Sequence, residues 1–135
     1  MTQRNQLHLA LSLLALCPAQ LAQRDYSAAR ATLYEAWPLA RMYGLQLYCA
    51  EMLASVAAHE GRHEACARLV SHAGAVRIRT GVVRDCNEER TLECALKFVH
   101  ADTHDATTFD ALCAEHVVPD DKSIAALGFE QVALT

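Results

Sequence analysis

The spacing of apolar residues along the chain predicts helices. Apolar side chains recur at intervals of three and four residues, as in the stripe formed by Cys49, Met52, Leu53 and Val56. This period is typical of an amphipathic helix, whereas no segment alternates apolar and polar residues for long enough to indicate a strand. We therefore predict an all-α fold of about seven helices. Connections of two to six residues would make successive helices antiparallel.

Seven segments carry this helical pattern. They cover residues 5–23, 27–42, 45–60, 63–80, 87–101, 106–117 and 121–134. We expect Ser27 to cap the second helix at its N-terminus. Gly44, Gly61 and Gly81 follow the second, third and fourth helices, where glycine commonly ends a helix. No linker or low-complexity segment interrupts the 135 residues, so we expect one domain over residues 1–135.

Two stretches of the chain, residues 23–36 and 60–73, repeat each other at a period of about 37 residues. When Tyr26 is aligned with His63, three further pairs match, namely Ala29 with Cys66, Leu33 with Val70 and Ala36 with Ala73. A period in this range is typical of stacked helix pairs, which bury their apolar faces only against neighbouring pairs. We therefore predict two repeats over residues 1–81 and a helical cap over residues 82–135.

The repeated positions resemble the tetratricopeptide-repeat family. In that family an aromatic residue follows the turn, small residues lie where helices cross, and alanines mark the second helix; these places are taken here by Tyr26, Ala29 and Ala36, and by His63, Cys66 and Ala73. Leu13 and Ala50 stand where the family has a tryptophan. The resemblance implies antiparallel helical hairpins that wind into a right-handed superhelix. It also implies a concave groove, lined by the first helix of each pair, that binds a protein or peptide.

The second half of the chain resembles the C-terminal repeat region of large bacterial transcription regulators of the LuxR or winged-helix type. Three stretches carry this likeness, at residues 73–81, 88–96 and 109–127. Those regulators join a DNA-binding domain and a signalling ATPase module to a repeat array. The resemblance implies a non-catalytic protein–protein interaction or signal-sensing domain of a transcription-regulatory protein. The alternative is a stand-alone adaptor or self-associating scaffold outside transcription.

Charge and hydropathy exclude two classes of partner. The formal net charge is −4, and no run of basic residues provides the clustered cations that phosphate binding needs, so we expect no direct contact with nucleic acid. The apolar stretch at residues 7–16 is interrupted by His8 and Ser12 and is too short to span a bilayer. The N-terminus also lacks the layout of a cleaved signal peptide. We therefore expect a cytoplasmic protein with no membrane partner.

The six cysteines form no CxxC pair. Four of them, Cys49, Cys66, Cys94 and Cys113, occupy apolar positions of predicted helices. A free cysteine at such a position behaves as a small buried hydrophobic residue. We expect these four to be buried thiols in a reducing compartment and not disulfide partners.

Residues 59–63 read HEGRH and match the HExxH pattern of zinc peptidases. That chemistry requires both histidines on one face of a helix, with the glutamate as general base. Gly61 lies where the repeat predicts a turn, which would separate His59 from His63. No phosphate-binding loop or nucleophile elbow is present either. We therefore expect no metal, no cofactor and no catalysis, and a zinc-dependent peptidase using His59, Glu60 and His63 is the alternative from another functional class.

Two surfaces are candidates for binding. The third helix should present Tyr48, Glu51, Ser55 and His59 to the concave groove as partner-binding residues. Glu51, together with the lack of lysine there, disfavours peptide carboxylates as ligands. The first helix carries too many leucines to bury in one hairpin, so Leu9, Leu13 and Leu16 are candidates for self-association into a homodimer.

Overall fold

The computed structural model describes residues 2–103 and 121–129, and these residues form six α-helices and no strand. The helices are α1 Gln3–Ala22, α2 Tyr26–Tyr43, α3 Gln46–His59, α4 His63–Thr80, α5 Cys86–Thr103 and α6 Asp121–Phe129. The predicted all-α fold is confirmed. The helix predicted over residues 106–117 and the end of the one predicted over 121–134 lie outside the described residues. None of the described helices is long and apolar enough to cross a bilayer.

The turns between the first four helices are set by side-chain caps and glycines. Asp25 caps α2, because its Oδ1 accepts a hydrogen bond of 3.2 Å from the Ala28 amide. The prediction that Ser27 caps α2 is therefore wrong, because Ser27 lies inside the first turn of this helix. Gly61 and Gly81 follow α3 and α4 with φ of 81° and 74°, a left-handed conformation that costs glycine least. The predicted turn within the HEGRH segment is confirmed.

Helix α3 is the centre of the molecule. It contacts each of the other five described helices. All residues from 49 to 58 are buried, so this helix needs neighbours on every side. Small residues allow the close approach, as at Ala36 of α2, which is fully buried. The predicted pairs are compatible with the contacts, because α1 packs on α2, α3 packs on α4, and α2 joins the two.

Helix α6 packs across α2, α3 and α4. The Arg62 guanidinium, in the turn between α3 and α4, donates hydrogen bonds to the Leu127 and Gly128 carbonyls, at 2.9 and 3.2 Å. A Cβ placed on Gly128 would lie 2.5 Å from Cδ1 of Leu53, a fully buried residue of α3. The lack of a side chain at position 128 therefore sets how closely α6 approaches α3.

The cysteines divide into buried and exposed thiols. Cys17, Cys49 and Cys66 are buried and free, and burial raises the pKa of the Cys17 and Cys49 thiols to about 12. Cys94 is exposed, so its predicted burial is wrong. The buried face of α5 is formed by Leu92, Ala95 and Val99. Cys94 lies on a different side of the helix. Cys113 lies outside the described residues.

Candidate binding groove

A groove of about 810 Å³ lies along α3, between α1 and α5. Its floor is one face of α3, with Tyr48, Met52, Ser55 and His59, and it is extended by Leu45 just before the helix. These positions are three or four residues apart, which places them on the same side of a helix. The two walls come from α1 and α5, and both of these helices pack against α3.

The two walls of the groove differ in chemistry. The α1 wall is apolar and consists of Leu11, Leu14, Ala15, Pro18, Leu21 and Ala22. The α5 wall and its entry are polar and consist of Asp85, Glu88, Arg90, Thr91 and Cys94. Arg24 and Tyr26, from the start of α2 and the turn before it, close one end. An occupant with one apolar side and one polar side would match this division.

Three of the four residues expected in a groove lie in this one. Tyr48, Ser55 and His59 belong to its lining, whereas Glu51 does not. The Ser55 side chain is 1% exposed, and its hydroxyl donates to the Glu51 backbone carbonyl at 3.3 Å. The role of these residues in binding a partner stays a prediction.

Glu51 belongs to a buried ion network instead. Its carboxylate accepts hydrogen bonds from Arg77 of α4 and from Arg84 Nε, the latter at 2.5 Å. Arg77 also donates to Glu88 of α5, at 2.7 Å. Glu51 is 6% exposed and Arg77 is 7% exposed, so the centre of the network is buried, and its half-buried member Glu88 links it to α5.

The sequence contains one sign of this ion network. Arg77 continues the stripe of Cys66, Leu69 and Ala73, which the structure shows to be buried on α4. A charged residue on such a stripe requires a partner of opposite charge.

Burial raises the pKa of Glu88, with Asp85 adding to the effect and Arg77 opposing it.

His59 closes the groove within a stack of rings. Its ring lies parallel to Tyr26, with centroids 4.8 Å apart and planes at 4°, and its centroid is also 4.8 Å from that of Phe98 on α5. The Nδ1 atom is buried and has no hydrogen-bond partner among the described residues. Burial lowers the pKa of His59, and the positive charge of Arg24 lowers it further. The neutral imidazole is therefore the favoured form.

The HEGRH segment does not form the geometry of a zinc peptidase site. His59 is the last residue of α3 and His63 is the first of α4, with Gly61 in the turn between them. The Glu60 carboxylate pairs with Arg30 at 2.5 Å. Within the described ranges, no group of three or more His, Cys, Asp or Glu residues could hold a metal ion.

The leucines of α1 divide between core and surface. Leu13 packs partly buried against the core, and Leu9 is also half-buried. Leu11 and Leu16 are each 47% exposed. Residues 5–23 contain no Asp, Glu, Lys or Arg, so Arg4, in the first turn, is the one formally charged residue of α1. Of the three leucines expected to mediate self-association, Leu16 is the one at the surface.

Protein-family models, curated protein sequences and solved structures were each compared with the chain. The three comparisons found no significant match.

Proposed function

We propose that this chain is a non-catalytic binding module whose groove along α3 holds a segment of a protein partner. The groove itself is the observation that supports the proposal. Its volume of about 810 Å³ is in the range of ligand sites, and its lining is mainly apolar with a few polar groups. The apolar α1 wall and the polar α5 wall favour an amphipathic peptide, which would turn its apolar side chains toward α1.

The cellular setting of the proposal comes from the resemblance of residues 73–127 to regulator C-termini. On that ground we propose an interaction or signal-sensing role in a cytoplasmic transcription-regulatory protein. A bound peptide could report to the rest of such a protein through α5, because α5 forms one wall of the groove and shares the Glu51–Arg77–Glu88 network with α3 and α4.

A phage-displayed library of random peptides, selected on the immobilised protein, tests the groove. We expect enriched peptides whose binding is lost in Ala15→Trp, because Ala15 is an exposed residue of the lining that a large ring would fill. Ala19→Trp is the matched control, since Ala19 is equally exposed on α1 but does not line the groove. Selection of no peptide, or of peptides that bind all three proteins equally, would contradict the proposal.

Self-association through α1 is a second candidate role. The exposed side of this helix that carries Leu16 supports it, because residues 5–22 of α1 hold no formal charge. A surface helix of a monomeric protein normally carries charged residues on its solvent side. A second copy of the chain could cover this side about a two-fold axis, since residues 5–22 carry no like charges that would repel each other.

A further inference from the structure

The charged residues of the groove differ in whether they have a partner within the described part of the protein. Four charged side chains line it: Arg24, Asp85, Glu88 and Arg90. Glu88 is paired with Arg77 at 2.7 Å. Asp85 Oδ1 accepts a hydrogen bond of 2.8 Å from the Glu88 amide at the start of α5, where a negative charge is stabilised by the helix dipole. Both carboxylates of the lining therefore have structural partners.

The two cations of the lining differ from these carboxylates. Neither Arg24 nor Arg90 forms an ion pair with any residue in the described ranges. Both side chains are exposed. Arg24 lies in the turn between α1 and α2, and Arg90 lies on α5, so the two reach the groove from different elements.

Glu51 does not cancel these cations. The sequence placed it in the groove, where it would repel a carboxylate, but the structure gives its charge to Arg77 and Arg84. The expectation that Glu51 faces the groove is wrong. The lack of lysine, on which the expectation against carboxylates also rested, holds for the lining, but Arg24 and Arg90 provide two cations there. Burial lowers the pKa of His59, and the positive charge of Arg24 adds to this effect on the lining residue.

We infer that the groove selects peptide segments that carry acidic side chains, and that Arg24 and Arg90 pair with them. This inference rests on the proposed function. A guanidinium beside an apolar wall binds a carboxylate more strongly than one in open water, because fewer water molecules compete for the pair. The net charge of −4 does not oppose this, because distant surface charges are largely screened beyond about 8 Å at physiological salt.

Three peptides of one design test the inference. Each is acetylated and amidated, is as long as the 14-residue floor helix, and has leucine and alanine at the apolar positions of an amphipathic helix. The polar positions are all Glu, all Gln or all Lys. We expect the Glu peptide to bind the wild type at least about tenfold more tightly than the Gln peptide, the effect of one charge-assisted hydrogen bond. The Lys peptide should bind most weakly. The blocked termini exclude a terminal carboxylate as the recognised group.

Variants of the two arginines test whether Arg24 and Arg90 cause the preference for the Glu peptide. Arg24→Gln with Arg90→Gln should bind the Glu and Gln peptides equally, and Arg24→Glu with Arg90→Glu should prefer the Lys peptide. Arg79→Gln, at an exposed arginine of α4 outside the groove, should keep the wild-type preference. Circular dichroism spectra of all variants should match, because each changed residue is exposed.

The outcomes separate the inference from the proposed function. If the Gln peptide binds the wild type as tightly as the Glu peptide and Ala15→Trp blocks both, the groove binds peptides without regard to charge and the inference is wrong. If the preference for Glu persists in the Arg24→Gln and Arg90→Gln double variant, the inference is also wrong. If no peptide binds, both the proposed function and the inference are wrong.

Discussion

Arg77 lies where α3, α4 and α5 meet, and its guanidinium bonds the carboxylates of both Glu51 and Glu88. The sequence suggested neither pair, because residues 26 and 11 positions apart belong to different helices. Residue patterns indicate which side of a helix is buried, but they do not say which buried charges meet. Three of the four predicted groove residues could be identified because Tyr48, Ser55 and His59 share one helical face, whereas the position of Glu51 depended on Arg77.

Replacing Arg77 by methionine should destabilise the fold by up to roughly 3–5 kcal/mol, because the buried Glu51 would keep only Arg84 as a partner and the half-buried Glu88 would lose its ion pair. Urea denaturation measures the loss. Arg79→Met is the matched control, since Arg79 is exposed in the same last turn of α4 and should change stability by less than about 0.5 kcal/mol. Equal denaturation midpoints for the two variants would show that the network contributes nothing.

His59 should make stability depend on pH. Its pKa in the folded protein lies below the ordinary value of 6.5, so the unfolded chain binds a proton more readily than the folded chain does. Stability should therefore fall as the pH is lowered through about 6.5, the region where the unfolded histidine becomes charged. Urea midpoints between about pH 7 and pH 5 measure this.

In His59→Phe, which keeps a ring between Tyr26 and Phe98, the fall in stability with decreasing pH should be smaller. His8→Phe, at an exposed position of α1, controls for the loss of a histidine as such. A wild-type slope in His59→Phe would mean that protonation of this ring is not resisted by the fold.

At the scale of helices, the sequence predicted the type and order of the described helices well, but the accuracy of their predicted boundaries varied. The limits of α4 agree with the prediction at both ends, because a glycine-containing turn precedes it and Gly81 follows it. The start of α2 was misplaced by one residue, since Asp25 and Ser27 are both good N-caps and only the hydrogen bond to Ala28 distinguishes them. The close packing of α6 on α3 could not be foreseen, because it depends on Gly128 meeting a residue of a distant helix.

Alanine substitutions at two helical glycines, Gly74 and Gly128, test the close packing of α6 on α3. Gly74 of α4 has nothing within 4 Å of an added Cβ, so Gly74→Ala should stabilise the fold by about 1 kcal/mol through helix propensity. Gly128→Ala should instead destabilise it by roughly 1–3 kcal/mol, because the new Cβ would overlap the fully buried Leu53. Thermal or urea unfolding compares them, and stabilisation by both alanines would mean that α6 does not pack this closely.

At the scale of the whole molecule, the stack of helices leaves one side of α1 open to solvent, and this side carries no formal charge after Arg4. The sequence indicated this, because leucine recurs around the helix without any charged residue between positions 5 and 23. It did not indicate which leucines reach the surface. Leu13 contributes to the core and Leu11 does not, and this division depends on how α1 is rotated against α2 and α3.

We expect the wild type to sediment as a dimer and the variant Leu16→Glu to sediment as a monomer. The substitution places a charge on the side of α1 that lies outside the groove and that a second copy would cover. Met42→Glu, at a residue of α2 that is 60% exposed, is the control and should remain dimeric. A wild type that stays monomeric at high concentration would show that this side of α1 tolerates solvent without a partner.

The position of α6 has a consequence for how the molecule opens. In a linear array each helix pair touches only the next, so the ends fray independently and amide protection declines toward them. Here α6 contacts α2, α3 and α4 together, and Arg62 holds its last carbonyls. Unwinding either helix pair must also release α6. Amide hydrogens of α2 and α4 should therefore exchange with deuterium with one common free energy of opening, equal to that of global unfolding, in place of a decline along the chain.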